Sequence, residues 1–152
     1  MTRNSFAALA QWCARVTGGT QLLLGTAIWT GRAESVIPIH VSVGLVLLLS
    51  LWTLTGLAVG QVAAWRVALA GVWGLLMVTL GLSQGGLLPG SLHWLIQVVH
   101  LGVGLAAVAQ AETLARGIRR PARSDRANRS ARTPLNTVST HPITAIPDLE
   151  ER

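Results

Sequence analysis

The residues of this sequence best suited to chemistry are two histidines that recur in the same short motif. His40 begins the stretch HVSVGL and His100 begins HLGVGL, so His, Val, Gly and Leu coincide in place. Both stretches lie in apolar segments, where an ionisable side chain is costly and is a functional candidate by default. Neutral imidazole is a good metal ligand, and it also forms hydrogen bonds. The repeat predicts a metal centre bound by paired imidazoles, and the alternatives are a quinone site or hydrogen bonds between helices.

A glycine follows each histidine by four residues, at Gly44 and Gly104. In a helix this spacing puts the glycine on the face of the histidine, one turn away. A position without a side chain lets a large flat group lie against the backbone, so the two glycines favour a planar metal macrocycle between the helices. Small residues also allow membrane helices to pack closely, which is the structural alternative for both glycines.

Four apolar segments must position these residues. They run roughly over 13–31, 36–59, 65–87 and 91–114. Each approaches or exceeds the ~20 residues that cross ~30 Å of hydrocarbon, and a backbone in lipid must be helical. The 152 residues are 51% hydrophobic and only 12% charged, which is too apolar for an ordinary soluble domain. The sequence predicts an all-α membrane protein, with a four-transmembrane-helix bundle over residues 1–116.

The repeat extends to the helix that precedes each histidine, because Leu24-Gly25 and Leu80-Gly81 occupy similar places. The bundle is therefore expected to consist of two tandem helical hairpins, related by an axis along the membrane normal. His40 and His100 should then face each other at similar depth in the outer half of the bilayer. Counted from the loops, however, His100 lies about five residues deeper, or about 7 Å at 1.5 Å per residue. The two counts agree only if the fourth span projects beyond the bilayer.

Charge placement predicts the orientation. All basic residues are arginines, and Arg3, Arg15, Arg66 and those after the fourth span lie on one side, whereas the other side has only Arg32. The positive-inside rule then puts both termini in the cytoplasm, as in a bacterial inner membrane protein. Residues 117–152 are rich in arginine and lack an apolar period, which predicts a disordered cytoplasmic tail. We expect this tail to fix the topology and to be solvated, and the alternative is that its arginines bind anionic lipid headgroups. Binding of a nucleic acid is disfavoured, because the headgroups are nearer.

Together these features resemble the membrane four-helix b-type cytochromes, such as the cytochrome b561 and respiratory cytochrome b cores. The likeness covers roughly residues 13–116 and lies in the four spans, the histidine on each of two helices and the nearby glycines, without matching a named subfamily. It implies that His40 and His100 are the axial ligands of haem b. Those families often carry two haems with four histidines, whereas this chain supports one. Another planar macrocycle, such as a chlorin, would be held in the same way.

Two further residues are candidates for contact with a haem propionate. Arg32 lies in the outer loop, and arginine suits bidentate binding of carboxylates. His93 precedes His100 by seven residues, so it lies on nearly the same helix face, ~10 Å closer to the outside. The alternatives are a solvated Arg32 beside Glu34 and an interfacial His93 beside Trp94.

The function expected from this resemblance is electron transfer near the outer face of the membrane. Two histidine ligands leave no open iron position, and the sequence shows no catalytic dyad or triad, so enzymatic activity stays an open question. A single haem near one face needs a redox partner, which would be a quinone, a soluble cytochrome or a larger membrane complex. The alternative function is a non-redox accessory or assembly subunit of such a complex, or a homodimer held by its glycine faces. A solute carrier is disfavoured, because the spans lack charges and broken helices at the midplane.

Overall fold

The structure, a computed structural model, describes residues 2–31 and 33–132, with side chains as far as residue 119. Four α-helices account for most of this chain, and no strand occurs within it. They are α1 (Arg3–Trp29), α2 (Ile37–Ala58), α3 (Ala64–Ser83) and α4 (His93–Arg132), with 3₁₀ turns at Glu34–Val36 and Gln84–Gly86. The prediction of an all-α fold is confirmed.

Three helical segments are long and apolar enough to cross a membrane. They are Glu34–Ala58, Ala64–Gly86 and His93–Arg119. Helix α1 is not among them, although it has 27 residues, because Gln11, Arg15 and Gln21 interrupt its apolar sequence. Large apolar side chains are exposed on every helix, which suits contact with lipid rather than water; examples are Leu9, Leu49, Leu75 and Leu105.

Helices α2 and α4 form the centre of the bundle. They contact each other, and each also contacts both α1 and α3, whereas α1 and α3 do not touch within the described residues. The largest fully buried side chains accordingly come from this central pair: Leu51, Leu54, Leu114 and Ile118. The two helices that carry the histidines are therefore neighbours.

Two glycine contacts between the hairpins occur at matched positions of the repeat. A Cβ built on Gly18 of α1 would lie 2.6 Å from Val108 of α4, and one built on Gly74 of α3 would lie 3.0 Å from Leu48 of α2. Gly18 lies seven residues before Gly25, and Gly74 lies seven residues before Gly81. Likewise, Val108 lies eight residues after His100, and Leu48 lies eight residues after His40. In each hairpin, an apolar side chain thus packs against a glycine of the other hairpin, and the two contacts occupy matched positions.

Helix hydroxyl groups find partners within their own helix. Among the described residues, eight Ser or Thr side chains donate to the carbonyl four residues earlier, which satisfies a hydroxyl in lipid without an outside partner. They are Thr17, Thr20, Thr26, Ser42, Ser50, Thr53, Thr55 and Ser83.

A polar cluster joins α1 to α4 about one turn from the Gly18 contact. Glu112 accepts hydrogen bonds from Arg15 Nε at 2.5 Å and from Gln11 Nε2 at 2.7 Å. Gln11 is buried and accepts in turn from Arg119. The polar groups that make α1 less apolar than the other helices are thus paired with groups of α4.

Helix α4 continues past the expected start of the tail. The sequence predicts disorder from residue 117, but the helix runs to Arg132. The segment is rich in alanine and arginine, which are strong helix formers, so the helix can continue where the apolar period has ended. Residues 133–152, the rest of the predicted tail, lie outside the described residues.

Candidate paired-histidine site

The structure brings His40 and His100 together at the centre of the bundle. His40 is the fourth residue of α2, and His100 is the eighth residue of α4. Their ring centroids are 6.3 Å apart and their planes are tilted by 49°. The rings meet although His100 lies four residues further from the start of its helix than His40 does. The internal repeat, rather than the count of residues from the loops, therefore predicts that the two rings lie close together.

Each imidazole lies against a glycine of its own hairpin. A Cβ on Gly25 of α1 would be 3.5 Å from Cε1 of His40, and a Cβ on Gly81 of α3 would be 3.4 Å from Cε1 of His100. These distances are ordinary contact, so any larger side chain at either glycine would press on the ring. The sequence shows the repeat of Leu-Gly but not this contact, because it depends on how the helices are rotated about their axes.

The glycines four residues after the histidines have different surroundings. A Cβ on Gly44 would be only 2.5 Å from Nε2 of Gln21, so the space beside Gly44 holds the Gln21 amide. Gly104 has nothing within 4 Å of the corresponding position, which leaves room there for a bulky group. The glycines that contact the imidazoles are Gly25 and Gly81, and the predicted contact of Gly44 and Gly104 with a macrocycle stays a prediction.

The Nδ1 atom of neither imidazole ring takes part in a hydrogen bond among the described residues. The Nδ1 atoms of both His40 and His100 are buried and have no partner among the described residues. More than nine in ten buried polar groups in proteins are hydrogen-bonded, and leaving one unpaired costs about 1–3 kcal/mol. Two unpaired imidazoles that face each other therefore argue against a purely structural role for the pair.

The spacing of the rings fits two imidazoles on opposite sides of one metal ion. An imidazole nitrogen bonds a transition metal at about 2 Å, and its ring centroid lies about 1 Å behind, so two such rings are roughly 6 Å apart. A tilted aromatic pair without metal has centroids in the same range, ~4.5–7 Å. The ring spacing therefore suits both a metal-bound pair and a metal-free pair.

The composition of the site favours a macrocycle over a bare ion. The described residues contain no group of three or more His, Cys, Asp or Glu side chains that could hold a metal. A bare transition metal ion usually takes three or more protein ligands. Haem supplies four nitrogen ligands of its own and takes axial ligands from the protein, so a pair of histidines is enough. In number and kind, the two ligands of the site therefore fit haem.

The two residues predicted to contact a haem propionate, His93 and Arg32, have no observed contact with the histidine pair among the described residues. His93 lies at the first turn of α4, and its Nδ1 is 3.3 Å from the carbonyl oxygen of Leu87 in the preceding loop. Arg32 lies outside the described residues. Both roles stay predictions.

Gln21 is a site residue that the sequence analysis did not identify. Its Nε2 donates to the backbone carbonyl oxygen of His40 at 2.9 Å, and its Oε1 is buried and has no partner in the part of the chain that the structure describes. The available signal is a lone amide in an apolar segment, four residues before Gly25. That spacing puts Gln21 one turn from the glycine that contacts His40.

Comparison with known proteins identifies no relative of this chain. The paired imidazoles, the glycines against them and the unpaired nitrogens are thus the whole basis for assigning a function. No family model, no curated protein and no solved structure matches this chain.

Proposed function

We propose that this protein is an integral membrane b-type cytochrome that binds one haem between α2 and α4, with His40 and His100 as axial ligands. The observation that carries the proposal is the facing pair of imidazoles, whose centroids are 6.3 Å apart and whose buried Nδ1 atoms have no hydrogen-bond partner among the described residues. An iron ion between them would bond one nitrogen of each ring, and the other nitrogen would carry the proton.

The chain supplies position and shielding for this chemistry. Gly25 of α1 and Gly81 of α3 lie beside the rings, since a Cβ on them would be 3.5 and 3.4 Å from a ring carbon, respectively. Haem supplies one-electron exchange when bound, and two histidine ligands leave the iron no free position for oxygen or substrate. Electron transfer is therefore the activity that the site favours.

The proposal includes four membrane spans, with α1 as the fourth. The polar groups of α1 do not prevent this, since Gln11 and Arg15 are paired with Glu112, and Gln21 is bonded to α2. With both termini in the cytoplasm of a bacterial cell, the histidines lie nearer the outer face. One haem there does not cross the bilayer alone, so a quinone, a soluble cytochrome or a larger membrane complex would exchange electrons with it.

The proposal is tested by the haem content of the purified protein. Pyridine haemochrome analysis of protein from haem-replete cells should give one haem b per chain. His40→Ala and His100→Ala should each lose six-coordinate binding, whereas His93→Ala, outside the pair, should keep its axial ligands. Full haem occupancy in His40→Ala would contradict the axial assignment. Protein without haem would favour the accessory-subunit function, and protein with a different metal, a quinone or a chlorin would identify another occupant of the same site.

A further inference from the structure

The two histidines have different surroundings, although the hairpins that carry them are related by the repeat. In the first hairpin, the residue four positions before the contacting glycine is Gln21. In the second hairpin, the residue four positions before Gly81 is Met77, which is buried and has no amide. Only the first hairpin therefore offers a strong hydrogen-bonding side chain at this position.

The orientation of the Gln21 amide is fixed by its partner. The backbone oxygen of His40 can only accept a hydrogen bond, so the atom of Gln21 that lies 2.9 Å away must be the NH₂ group. Gly44 makes this position available, because a Cβ there would fall 2.5 Å from the same nitrogen. The amide oxygen, bonded to the same carbon, is consequently held beside the His40 turn, where it is buried and unpaired.

The His40 ring carries the complementary group. When one ring nitrogen binds a metal, the other carries the proton, and in metal proteins this N–H is almost always bonded to a carboxylate, a carbonyl oxygen or water. Nδ1 of His40 and Oε1 of Gln21 are both buried, and neither has a hydrogen-bond partner among the described residues, so they are not bonded to each other in this structure. In a metal-bound imidazole, Nδ1 of His40 would be the hydrogen-bond donor. Oε1 of Gln21 is an acceptor, and its side chain already donates a hydrogen bond to the backbone of His40.

We infer that Gln21 is a positioning residue for the His40 ligand, with Oε1 accepting the imidazole N–H, directly or through one water, when haem is bound. This inference rests on the proposed function. Such an acceptor raises the basicity of the imidazole, which stabilises ferric over ferrous iron. His40 and His100 are then unequal ligands, since the position of Met77 provides no such acceptor.

The test is the midpoint potential of the holoprotein and of two Gln21 variants. Gln21→Met copies the second hairpin and removes the acceptor, so it should raise the potential. Gln21→Glu keeps an acceptor and makes it stronger, so it should lower the potential. Loss of a partner of this kind typically costs about 10–100-fold in metal affinity. A tenfold loss confined to the ferric state corresponds to a shift of about 59 mV for one electron.

A third variant displaces the Gln21 amide without replacing Gln21 itself. Gly44→Ala places a methyl group on the amide nitrogen and displaces Gln21, so it should raise the potential as Gln21→Met does, even if the latter does not fold. Gly102→Ala in α4 is the matched control, because nothing lies within 4 Å of its Cβ position, and its potential should equal that of the wild type.

The outcomes separate the two proposals. Wild-type protein without haem would overturn the proposed function, and this inference with it. Haem-bound wild type with unshifted Gln21→Met and Gly44→Ala would overturn this inference alone. Shifts of the same sign in Gln21→Met and Gln21→Glu would also overturn it, because a purely structural role predicts equal damage from both.

Discussion

Substitution of the glycines that contact the imidazoles should weaken haem binding in proportion to the size of the new side chain. A Cβ at Gly25 or Gly81 would already stand 3.5 or 3.4 Å from a histidine carbon, which is ordinary van der Waals contact. Gly25→Ala and Gly81→Ala should therefore bind haem much as the wild type does. Gly25→Leu and Gly81→Leu add three carbons beyond a Cβ that is already in van der Waals contact with the imidazole. The imidazole or the helix that carries the leucine must therefore move.

The magnitude follows from the cost of overpacking. Extra carbons in a packed core cost about 1–3 kcal/mol. Without haem the ring can rotate away from the new side chain, so the cost falls mainly on the bound state. At about 1.4 kcal/mol per factor of ten, the leucine variants should bind haem roughly 5–150-fold more weakly.

The assay is a haem titration of detergent-purified apoprotein, followed at the Soret band. Gly19→Leu in α1 and Gly71→Leu in α3 are matched controls, since nothing lies within 4 Å of either Cβ position. They should bind haem as the wild type does. If Gly25→Leu and Gly81→Leu bind haem as tightly as these controls, the imidazoles are not held against α1 and α3 in the haem-bound protein.

Two further predictions concern the stability of the bundle, measured as the thermal unfolding midpoint in detergent. Glu112→Ala should destabilise the protein by about 1–3 kcal/mol, because it leaves the buried amide of Gln11 without its acceptor; an unchanged midpoint would mean that the cluster does not hold α1 to α4. Gly74→Val should cost a similar amount, because its side chain would overlap Trp52. Gly71→Val, which meets open space, should leave the midpoint nearly unchanged, and equal effects of the two valines would contradict the packing of α3 on α2.

The pairing of His40 and His100 could be predicted from the sequence because an internal repeat predicts where equivalent residues lie along equivalent helices. Two helices with the same orientation put equivalent residues at equivalent depth, whatever the lengths of the loops. The contacts of Gly25 and Gly81 with the rings could not be predicted in the same way. Helices that are apolar on all sides give little indication of which face is turned inward.

Two features that the sequence does not reveal depend on tertiary contacts, whereas a third reflects local helix preference. Helix α1 is less apolar than a typical span, and only the structure shows that Gln11 and Arg15 find partners on α4. The role of Gln21 depends on its bond to a backbone atom of α2, which no side-chain pattern reveals. The continuation of α4 to Arg132 reflects the intrinsic helix preference of alanine and arginine rather than an apolar face.

The most direct test of the central claim is the absorption spectrum of the detergent-purified protein, oxidised and then reduced with dithionite. Haem ligated by His40 and His100 predicts a Soret band and sharp α and β bands on reduction, typical of a six-coordinate low-spin b-type cytochrome. A colourless protein from haem-replete cells would contradict the claim.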